Sequence, residues 1–273
     1  MTAAGARGWL AAVIPLVAAL EVAAGWRVSR GQPTERDWRE AAAWIEARRG
    51  ERDLVAIAPG WAVQGRVHLG RSITPRDLGR FDTTRYQRLF EVSWRDARAP
   101  EARNRPLEDE RRCGALTVRR HALPPAAEVR YDLLDNLDRC AAGGGRCPQK
   151  RFLVDHHWGT RLVIPVRLSP GPVSLSFEGV PGDGVLHGHA IIGRLDYRTH
   201  RLPSGGPVRL SFAFDGADLG LVLVDNSAGP VPFEIALPRT GAGVLRVEVS
   251  AADGFERTVG FAADVRKGAL ERD

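Results

Sequence analysis

The sequence predicts an α+β protein made of an N-terminal membrane helix, a small α/β domain and an antiparallel, jelly-roll-like β-sandwich. A long apolar run near the start indicates the helix, and alternating helix and strand patterns indicate the α/β domain. Further along, apolar and polar residues alternate with a period of two between closely spaced turns, which is typical of a sandwich. We therefore assign residues 1–30 to a membrane anchor or signal segment, 33–125 to the α/β domain, 126–150 to a linker and 151–273 to the sandwich.

The N-terminal segment contains the long apolar run. From Trp9 to Trp26 it reads WLAAVIPLVAALEVAAGW, in which Glu21 is the only charged residue. The length of residues 9–26 and the two tryptophans suit a helix that crosses a lipid bilayer. A cleaved signal peptide is an alternative, because the small residues VAA follow Glu21, and a buried soluble helix is another. An anchor or a signal would place the rest of the chain outside the cytoplasm, on the periplasmic side of the inner membrane if the source is bacterial.

The α/β domain begins with a well-marked helix. Thr34 and Asp37, three residues apart, form a capping box, and Gly50 provides the stop. The apolar residues between them recur at helical spacing and form one core-facing stripe, which consists of Trp38, Ala41, Ala42 and Ile45.

Three segments of this domain have the length and composition of strands. They are DLVAIA at 53–58, RLFEVSW at 88–94 and ALTVRRHAL at 115–123. A second capping box at 74–77 predicts a short helix between the first two strands. The charged run RDARAPEARNRPLEDERR at 95–112 is typical of a solvated loop. Helix–strand–helix–strand order then predicts a small α/β layer.

The first of these strands runs into the turn APGWA, where a nucleotide-binding protein would hold phosphate. A phosphate loop needs several glycines so that backbone amides can surround the anion, and this turn contains only Gly60. We therefore predict no nucleotide site here, and we expect Trp61 to pack against Trp38 and Ile45.

The linker combines a short helical pattern with a glycine-rich loop. In VRYDLLDNLDRCA the residues Asp132, Asp135 and Asp138 recur every third position, which predicts the solvated face of a helix. Cys140 and Cys147 enclose AAGGGR, a flexible loop that could close as a disulfide in an oxidising compartment. The remaining cysteine, at position 113, is then either free and buried or paired elsewhere, and no cysteine spacing suits zinc.

Four segments of the last domain show the alternation most clearly. They are VSLSFE at 173–178, VRLSFAFD at 208–215, FEIAL at 233–237 and LRVEVS at 245–250. Turns rich in glycine, proline and aspartate separate them, and no helical pattern intervenes. About eight short strands of this kind predict the sandwich.

Charge and motifs argue against several classes of function. The formal net charge is +6, but no arginine-rich stretch is interleaved with stacking aromatic residues, so nucleic acid is not an expected partner. No serine lies in a Gly-x-Ser-x-Gly motif, and no cysteine lies in a catalytic signature. We therefore predict no catalytic residue and no cofactor.

Two histidine pairs are candidates for metal binding. His156 and His157 are adjacent, so on a strand they point to opposite faces and cannot share an ion. His187 and His189 share a face, but no third ligand is identifiable in the sequence. A strand with one solvated face is the preferred interpretation of the second pair.

Loops of the sandwich supply the candidate binding residues. Carboxylates near turns could bind calcium, although they are also ordinary turn formers, and these candidates are Asp215, Asp218 and Asp225. A ligand at one end of the sandwich would use aromatic and planar polar groups on loops, and these candidates are Tyr197, Arg198, His200 and Asn226.

The order of segments resembles a known family. An apolar helix, then RDWREAAAWIEARRGERDLVAIAPGWA, then the strand RLFEVSW is similar to the extracytoplasmic C-terminal region of dolichyl-phosphate-mannose-type, membrane-embedded glycosyltransferases. The second half, with GHAIIGRLDYRTH and GGPVRLSFAFDGADLG, resembles galactose-binding-like β-sandwich modules. The family's catalytic carboxylate lies in a multi-helix membrane region that has no counterpart in this sequence, so no catalytic residue is carried over.

The resemblance implies an accessory function. We expect a membrane-anchored, extracytoplasmic, non-catalytic protein that acts on cell-envelope glycan or beside a multi-span glycosyltransferase. The alternative is a glycosyltransferase or glycoside-active enzyme whose active site is the cleft between the two domains. A purely structural envelope protein is the third interpretation.

Overall fold

The structure is a computed structural model of the chain. It describes residues 3–60, 62–124, 126–143, 145–154, 160–168, 171–193, 205–225, 229–238, 241–253 and 257–267. At residues 3–12, 27–30, 63, 64, 66, 145, 146, 153 and 154 it describes the backbone alone. The chain divides into an α/β unit, formed by residues 1–73 and 88–122, and a sandwich unit, formed by residues 74–87 and 123–273.

The α/β unit contains three α-helices and one four-stranded sheet among its described residues. The helices are α1 (Ala3–Arg30), α2 (Glu35–Glu46) and α3 (Arg66–Leu69). The strands are β1 (Asp53–Ala58), β2 (Arg88–Trp94), β3 (Leu107–Cys113) and β4 (Leu116–Ala122), in the order β1-β2-β4-β3. β1 and β2 are parallel and the other neighbours are antiparallel, so the three predicted strands form one sheet together with β3.

Helix α2 has the cap and the buried stripe that the sequence predicts. The Thr34 side chain accepts a hydrogen bond from the Asp37 amide, and the Asp37 side chain accepts one from the Thr34 amide. All four predicted stripe residues are buried, as is Trp44, whose ring meets Phe90 edge-on at a centroid distance of 5.8 Å. The stripe therefore covers the sheet, and burial of this apolar area holds the unit together.

Strand β3 corrects the prediction of a solvated loop over residues 95–112. Most of its side chains are exposed, as the charge suggested, yet its backbone pairs with β4 along the edge of the sheet. Cross-strand ion pairs accompany this pairing, between Arg119 and Glu110 at 2.6 Å and between Arg120 and Glu108 at 3.0 Å. Opposite charges on facing strands stabilise an edge strand that has no apolar face.

The apolar N-terminal run lies within α1. Its side chains from Val13 to Trp26 include many exposed apolar groups, such as Ile14 and Val22. Across the part of the chain that the structure describes, no helix is both long enough and apolar enough to cross a membrane. The anchor over residues 9–26 stays a prediction from the sequence.

The sandwich unit is built from two six-stranded sheets. The first has the order β13-β12-β15-β10-β6-β7 and the second has the order β14-β11-β16-β9-β8, with β5 also paired to β16. The strands are β5 (Val129–Asp132), β6 (Cys140–Ala142), β7 (Gly145–Arg146), β8 (Arg151–Val154), β9 (Thr160–Leu168), β10 (Val173–Pro181), β11 (Val185–Ile192), β12 (Val208–Phe214), β13 (Ala217–Val224), β14 (Val231–Ala236), β15 (Ala242–Ala251) and β16 (Arg257–Arg266). All of their pairings are antiparallel, as predicted.

The core of this unit lies between the two sheets. On β12 every second residue is buried, from Val208 to Phe214, and the same alternation continues on β15 with Leu245, Val247 and Val249. Phe212 packs against Phe233 of the opposite sheet with centroids 5.1 Å apart. The period-two pattern therefore placed the apolar face of these strands correctly.

The linker over residues 126–150 contains no α-helix among its described residues, which corrects the sequence prediction. Residues 129–132 form β5, and a 3₁₀ turn, Leu137–Arg139, precedes β6. Tyr131 and Leu133 are buried in the core, and Asp132 lies between them on the other face. Pairing with β16 makes this extended conformation more favourable than a helix, because it satisfies the backbone of both strands.

The two cysteines of the linker are joined. Cys140 and Cys147 form a disulfide with their Cα atoms 5.6 Å apart. Cys113, in the α/β unit, is a free and buried cysteine.

Residues 74–87 pack on the second sheet of the sandwich unit, although the sequence places them in the α/β domain. We call residues 74–87 the strap. It begins with α4 (Pro75–Leu78), whose predicted capping box is confirmed, and continues as an irregular segment. Backbone hydrogen bonds fix it along its length, from the Leu162 amide to the Gly79 carbonyl at 2.9 Å and from the Ala127 amide to the Thr84 carbonyl at 2.8 Å.

Candidate functional site

The outer face of the first sheet carries an open groove of about 290 Å³ across strands β12, β13 and β15. We call it the polar groove. Because side chains alternate along a strand, the residues between the buried core positions point outward here. Its lining residues are Arg209, Ser211, Phe212, Ala213, Gly216, Asp218, Gly220, Leu221, Arg246 and Glu248.

Two arginines of the polar groove are held by neighbouring side chains. Arg246 donates from Nε to Ser174 Oγ at 2.8 Å and from Nη2 to Glu248 Oε2 at 3.4 Å. Arg209 donates from Nε to Ser211 Oγ at 3.1 Å. These bonds fix the planes of the guanidinium groups. The Arg246 side chain is still 57% exposed, which leaves donor groups accessible to a ligand.

An irregularity in the strand pairing shapes one end of the polar groove. The register of β12 and β13 shifts between Phe212 and Ala213, and Gly220 at this shift has a φ of +121°. Such a backbone conformation strongly favours glycine. Phe212 also lines the groove, although its side chain is buried in the core on the other face of the sheet.

Two calcium candidates from the sequence lie at this end of the sheet. Asp218 lines the polar groove and accepts a hydrogen bond from the Gly220 amide at 3.0 Å. Asp215 accepts one from the Val244 amide at 2.8 Å. Both carboxylates stabilise turns, and among the described residues no group of three or more histidine, cysteine, aspartate or glutamate side chains is arranged to hold a metal ion.

An apolar border adjoins the polar side chains. Leu221 faces Ser211 across the strands, and Leu223 faces Arg209. The two leucines are 48% and 55% exposed. The groove therefore offers planar hydrogen-bonding groups beside accessible apolar surface. This combination suits a ligand that has hydroxyl groups on its rim and C–H groups on its faces.

The second sheet holds the histidine pair that the sequence singled out. His187 and His189 do share one face of β11, as predicted, but the strap covers that face and it is not solvated. His189 stacks on Phe81 of the strap, and Asp82 Oδ2 lies 3.4 Å from His187 Nε2. The strap is a distant part of the sequence, which is why the sequence pattern alone could not reveal its contacts.

A network of ion pairs joins the strap to the sheet. Asp132 Oδ2 accepts from Arg76 Nη1 at 2.7 Å and from Arg85 Nη1 at 2.8 Å. Arg266 forms two hydrogen bonds with Asp264 and one with Asp82, the last at 3.2 Å. Asp132 is 6% exposed, so its prediction as part of a solvated helix face is wrong. It is a buried partner of two arginines.

Burial and charge set the protonation of these groups. Burial opposes the charge of Arg266, but its hydrogen bonds and attraction to Asp264 and Asp82 outweigh this, so the pKa of Arg266 is raised. Burial and the nearby Arg266 charge lower the pKa of His187, although Asp82 acts in the opposite direction. His187 is therefore neutral in neutral solution, while the arginines keep their charge.

Several predicted residues lie outside the described part of the chain. These are the loop candidates Tyr197, Arg198, His200 and Asn226, together with Trp61 and the adjacent histidines His156 and His157. Asp225, the third calcium candidate, is described and follows the end of β13.

Sequence reasoning missed the polar groove itself. Its signal was present in the outward positions of the same alternating segments, RVEVS and VRLSF, where arginine, serine and glutamate recur. On a single strand such residues indicate only a solvated face. Their relation becomes visible when β12, β15 and β10 are placed side by side, because Arg246 faces Ala213 on one neighbour and Ser176 on the other.

The solved structures to which this chain is similar include carbohydrate-binding modules. The chain is similar to the CBM51-2 and INT domains of ZmpB from Clostridium perfringens, with 11% identity, a TM-score of 0.37, and coverage of 59% of this chain and 40% of that one. It is similar to CBM51 from Clostridium perfringens GH95 in complex with methyl-galactose, with 10% identity, a TM-score of 0.34, and coverage of 50% and 100%. It is also similar to CBM28, a non-crystalline cellulose specific module, with 8% identity, a TM-score of 0.37, and coverage of 53% and 96%.

None of these three similarities exceeds 11% identity or a TM-score of 0.37, so they carry no conclusion about the ligand of this chain. The chain spans less than half the length of the first of these structures. No family model and no curated protein matches the chain. The resemblance to dolichyl-phosphate-mannose-type glycosyltransferases thus stays a prediction from the sequence.

Proposed function

We propose that this protein is a non-catalytic, extracytoplasmic glycan-binding protein whose sandwich unit binds an extended saccharide chain in the polar groove. The observation that carries the proposal is the set of oriented, accessible planar groups, Arg209, Arg246 and Glu248, on one open face. Guanidinium and carboxylate groups can each form two parallel hydrogen bonds, which matches the spacing of neighbouring hydroxyl groups on a sugar ring.

The charge of the polar groove favours a neutral glycan. Two arginines and two carboxylates, Asp218 and Glu248, line it, so their formal charges cancel. The arginines would attract a polyanion, but the carboxylates would repel it, so the two effects would largely cancel. Leu221 and Leu223 supply apolar surface for the C–H faces of the sugar rings. We therefore expect uncharged polysaccharides to bind more tightly than polyuronates.

Location outside the cytoplasm is part of the proposal. A disulfide such as Cys140–Cys147 is typical of oxidising compartments, which supports this location. The apolar run over residues 9–26 would serve as an anchor in the bilayer or as an export signal. Association with a multi-span glycosyltransferase would be tested by co-purification from membranes, with recovery of such an enzyme as the expected result.

Affinity electrophoresis of the full chain tests the groove. Gels cast with dextran, hydroxyethyl cellulose or polygalacturonate compare two neutral polymers with one anionic polymer. We expect retardation by at least one neutral polymer, and Arg246→Ala should weaken it about tenfold through the loss of hydrogen bonds worth about 1.4 kcal/mol. Arg151→Ala, which removes an exposed arginine from β8, is the matched control and should leave retardation unchanged.

Two results would contradict this function. Equal migration of the protein in all gels would remove the support for glycan binding at the groove. Release of reducing sugar from a retarding polymer would favour the enzymatic alternative of the sequence prediction, because a binding protein leaves its ligand intact.

A further inference from the structure

A second, smaller cavity lies between the strap and the outer face of the second sheet, within the sandwich unit. Its volume is about 50 Å³, it is partly open to solvent, and we call it the strap cavity. Phe81, Tyr86, Leu162 and His189 contribute to its lining, together with the charged residues of the ion-pair network. A cavity of this size accommodates about three water molecules or a few non-hydrogen atoms of a ligand.

Two uncharged side chains that line the strap cavity each carry a buried polar atom with no hydrogen-bond partner among the described residues. They are Nε2 of His189 and the hydroxyl oxygen of Tyr86. His189 is only 4% exposed and Tyr86 only 5% exposed. Leaving a buried polar group without a partner costs about 1–3 kcal/mol, so each atom favours an occupant that can form a hydrogen bond.

Both of these groups are uncharged in neutral solution. Burial, with a further contribution from the Arg161 charge, lowers the pKa of His189 to about 3. Burial, with a further contribution from Asp77, raises the pKa of Tyr86 to about 12. A phenol can donate or accept a hydrogen bond, and neutral imidazole Nε2 does one or the other according to its tautomer.

The charges around the strap cavity already have partners. Arg76 and Arg85 pair with Asp132, and Arg266 pairs with Asp264 and Asp82. An ion entering the cavity would have to compete with these pairs and would itself lose water, which is costly in a buried site. The unpartnered atoms and the paired charges together favour a neutral ligand over an anion or a cation.

We propose that the strap cavity is a second binding site, which receives a neutral hydroxyl-bearing group, either of a free polyol or of the terminal residue of a glycan. A hydroxyl group can both donate and accept, so the hydroxyl groups of such a ligand can pair with the Tyr86 hydroxyl and with either tautomer of His189. The apolar ring of Phe81 and the side chain of Leu162 accommodate the carbon that carries it. The remainder of the ligand extends towards solvent. This site does not depend on the polar groove.

Saturation-transfer NMR on the full chain tests the proposal with three probes: glycerol, methyl galactoside and a short neutral oligosaccharide. We expect saturation transfer to at least one of them. Transfer to glycerol identifies a polyol site, and transfer to the two saccharides without glycerol identifies a terminal sugar. Water alone fills the cavity if no probe receives saturation, and that result would overturn the proposal.

Two near-isosteric variants locate the signal. Tyr86→Phe removes only the hydroxyl group, and His189→Phe removes Nε2 while keeping a ring beside Phe81. Each should weaken probe binding about tenfold, as the loss of about 1.4 kcal/mol implies. Unchanged probe binding in both variants would place the ligand elsewhere and refute the assignment. Their folded state is checked by thermal unfolding, since truncating a polar atom without a partner should not lower the melting temperature markedly.

The variant Arg246→Ala separates this site from the polar groove. It should leave small-probe binding unchanged while it weakens retardation by polymers. Tyr86→Phe and His189→Phe should weaken small-probe binding and leave retardation by polymers unchanged. Failure of polymer binding with intact probe binding would refute the proposed function alone, and failure of probe binding with intact polymer binding would refute the strap cavity alone.

Discussion

The phenyl ring of Phe81 lies face to face with the imidazole ring of His189, with ring centroids 4.4 Å apart and an angle of 11° between the planes. These residues are far apart in the sequence, and their contact is the apolar part of the attachment between the strap and the second sheet. The ion pairs of Arg76, Arg85 and Arg266 surround it.

Truncation of this ring should loosen the strap. Phe81→Ala removes the stacked pair and part of the buried area, and we expect a loss of about 2 kcal/mol in the free energy of unfolding. Denaturant unfolding provides the measurement. Leu107→Ala, a truncation of a side chain that is 54% exposed, is the control and should change stability very little. If the two substitutions lowered the free energy of unfolding equally, the stacking of Phe81 on His189 would add nothing to stability.

Substitution of Asp132 should lower the free energy of unfolding much more than substitution of Asp135, although the sequence pattern predicts the same solvated helix face for both. Asp132→Ala leaves two arginines without their buried partner and should cost about 3–5 kcal/mol. Asp135 also contacts Arg76, at 2.7 Å, but its side chain is 54% exposed, so Asp135→Ala should cost less than about 1 kcal/mol. Thermal and denaturant unfolding of both variants distinguish them. A large loss with Asp135→Ala would contradict the burial argument.

Acid should destabilise the sandwich unit through its buried histidines. The pKa of His189 is about 3 in the folded chain, against an ordinary value of 6.5. As the pH falls, the unfolded chain therefore binds a proton at this histidine at a higher pH than the folded chain does. This contribution to stability is complete above about pH 6.5 and is lost progressively as the pH falls towards about 3. Between about pH 7 and about pH 5 we expect a loss of about 2 kcal/mol from this group. The lowered pKa of His187 acts in the same direction.

The variant His189→Gln provides the control for this pH dependence. Glutamine does not titrate, so the slope of stability between these pH values should become shallower. An unchanged slope would assign the acid sensitivity to other groups.

The disulfide should add stability without being required for folding. Closing a loop of seven-residue separation restricts the unfolded chain and stabilises the fold by about 2–3 kcal/mol in the chain-entropy description. Cys140→Ser should lower the melting temperature and leave a folded protein. Mass spectrometry of unreduced, exported protein should show Cys140 linked to Cys147. Recovery of both as free thiols would contradict an oxidising location.

A reporter fused after Asp273 tests the predicted topology. Because residues 9–26 form the one long apolar run of the sequence, an alkaline phosphatase fusion should be active, as this enzyme requires an oxidising compartment. Sedimentation with membranes would favour an anchor, and release in a shortened form would favour a cleaved signal. If the fusion were active only with a reporter that functions in the cytoplasm, both the anchor and the signal would be refuted.

The sequence by itself determined the elements whose signal is local. The capping boxes at Thr34 and Thr74, the stripe of α2 and the alternation of β12 and β15 all depend on residues a few positions apart, and the structure confirms them. Tertiary structure decided the strand pairing of the charged segment 107–113 and the extended form of residues 129–132, because each gains its hydrogen bonds from a partner strand.

Tertiary structure also decided the polar groove and the strap cavity. Arg209, Arg246 and Glu248 come together only because β12 and β15 lie side by side, and Tyr86 and His189 line one cavity only because the strap packs on the second sheet. A polar residue on an alternating segment has the same local pattern whether water, a ligand or a distant segment covers it. The sequence therefore determined which side chains leave the core, and the tertiary structure decided what those side chains face, since long-range packing controls their burial and their partners.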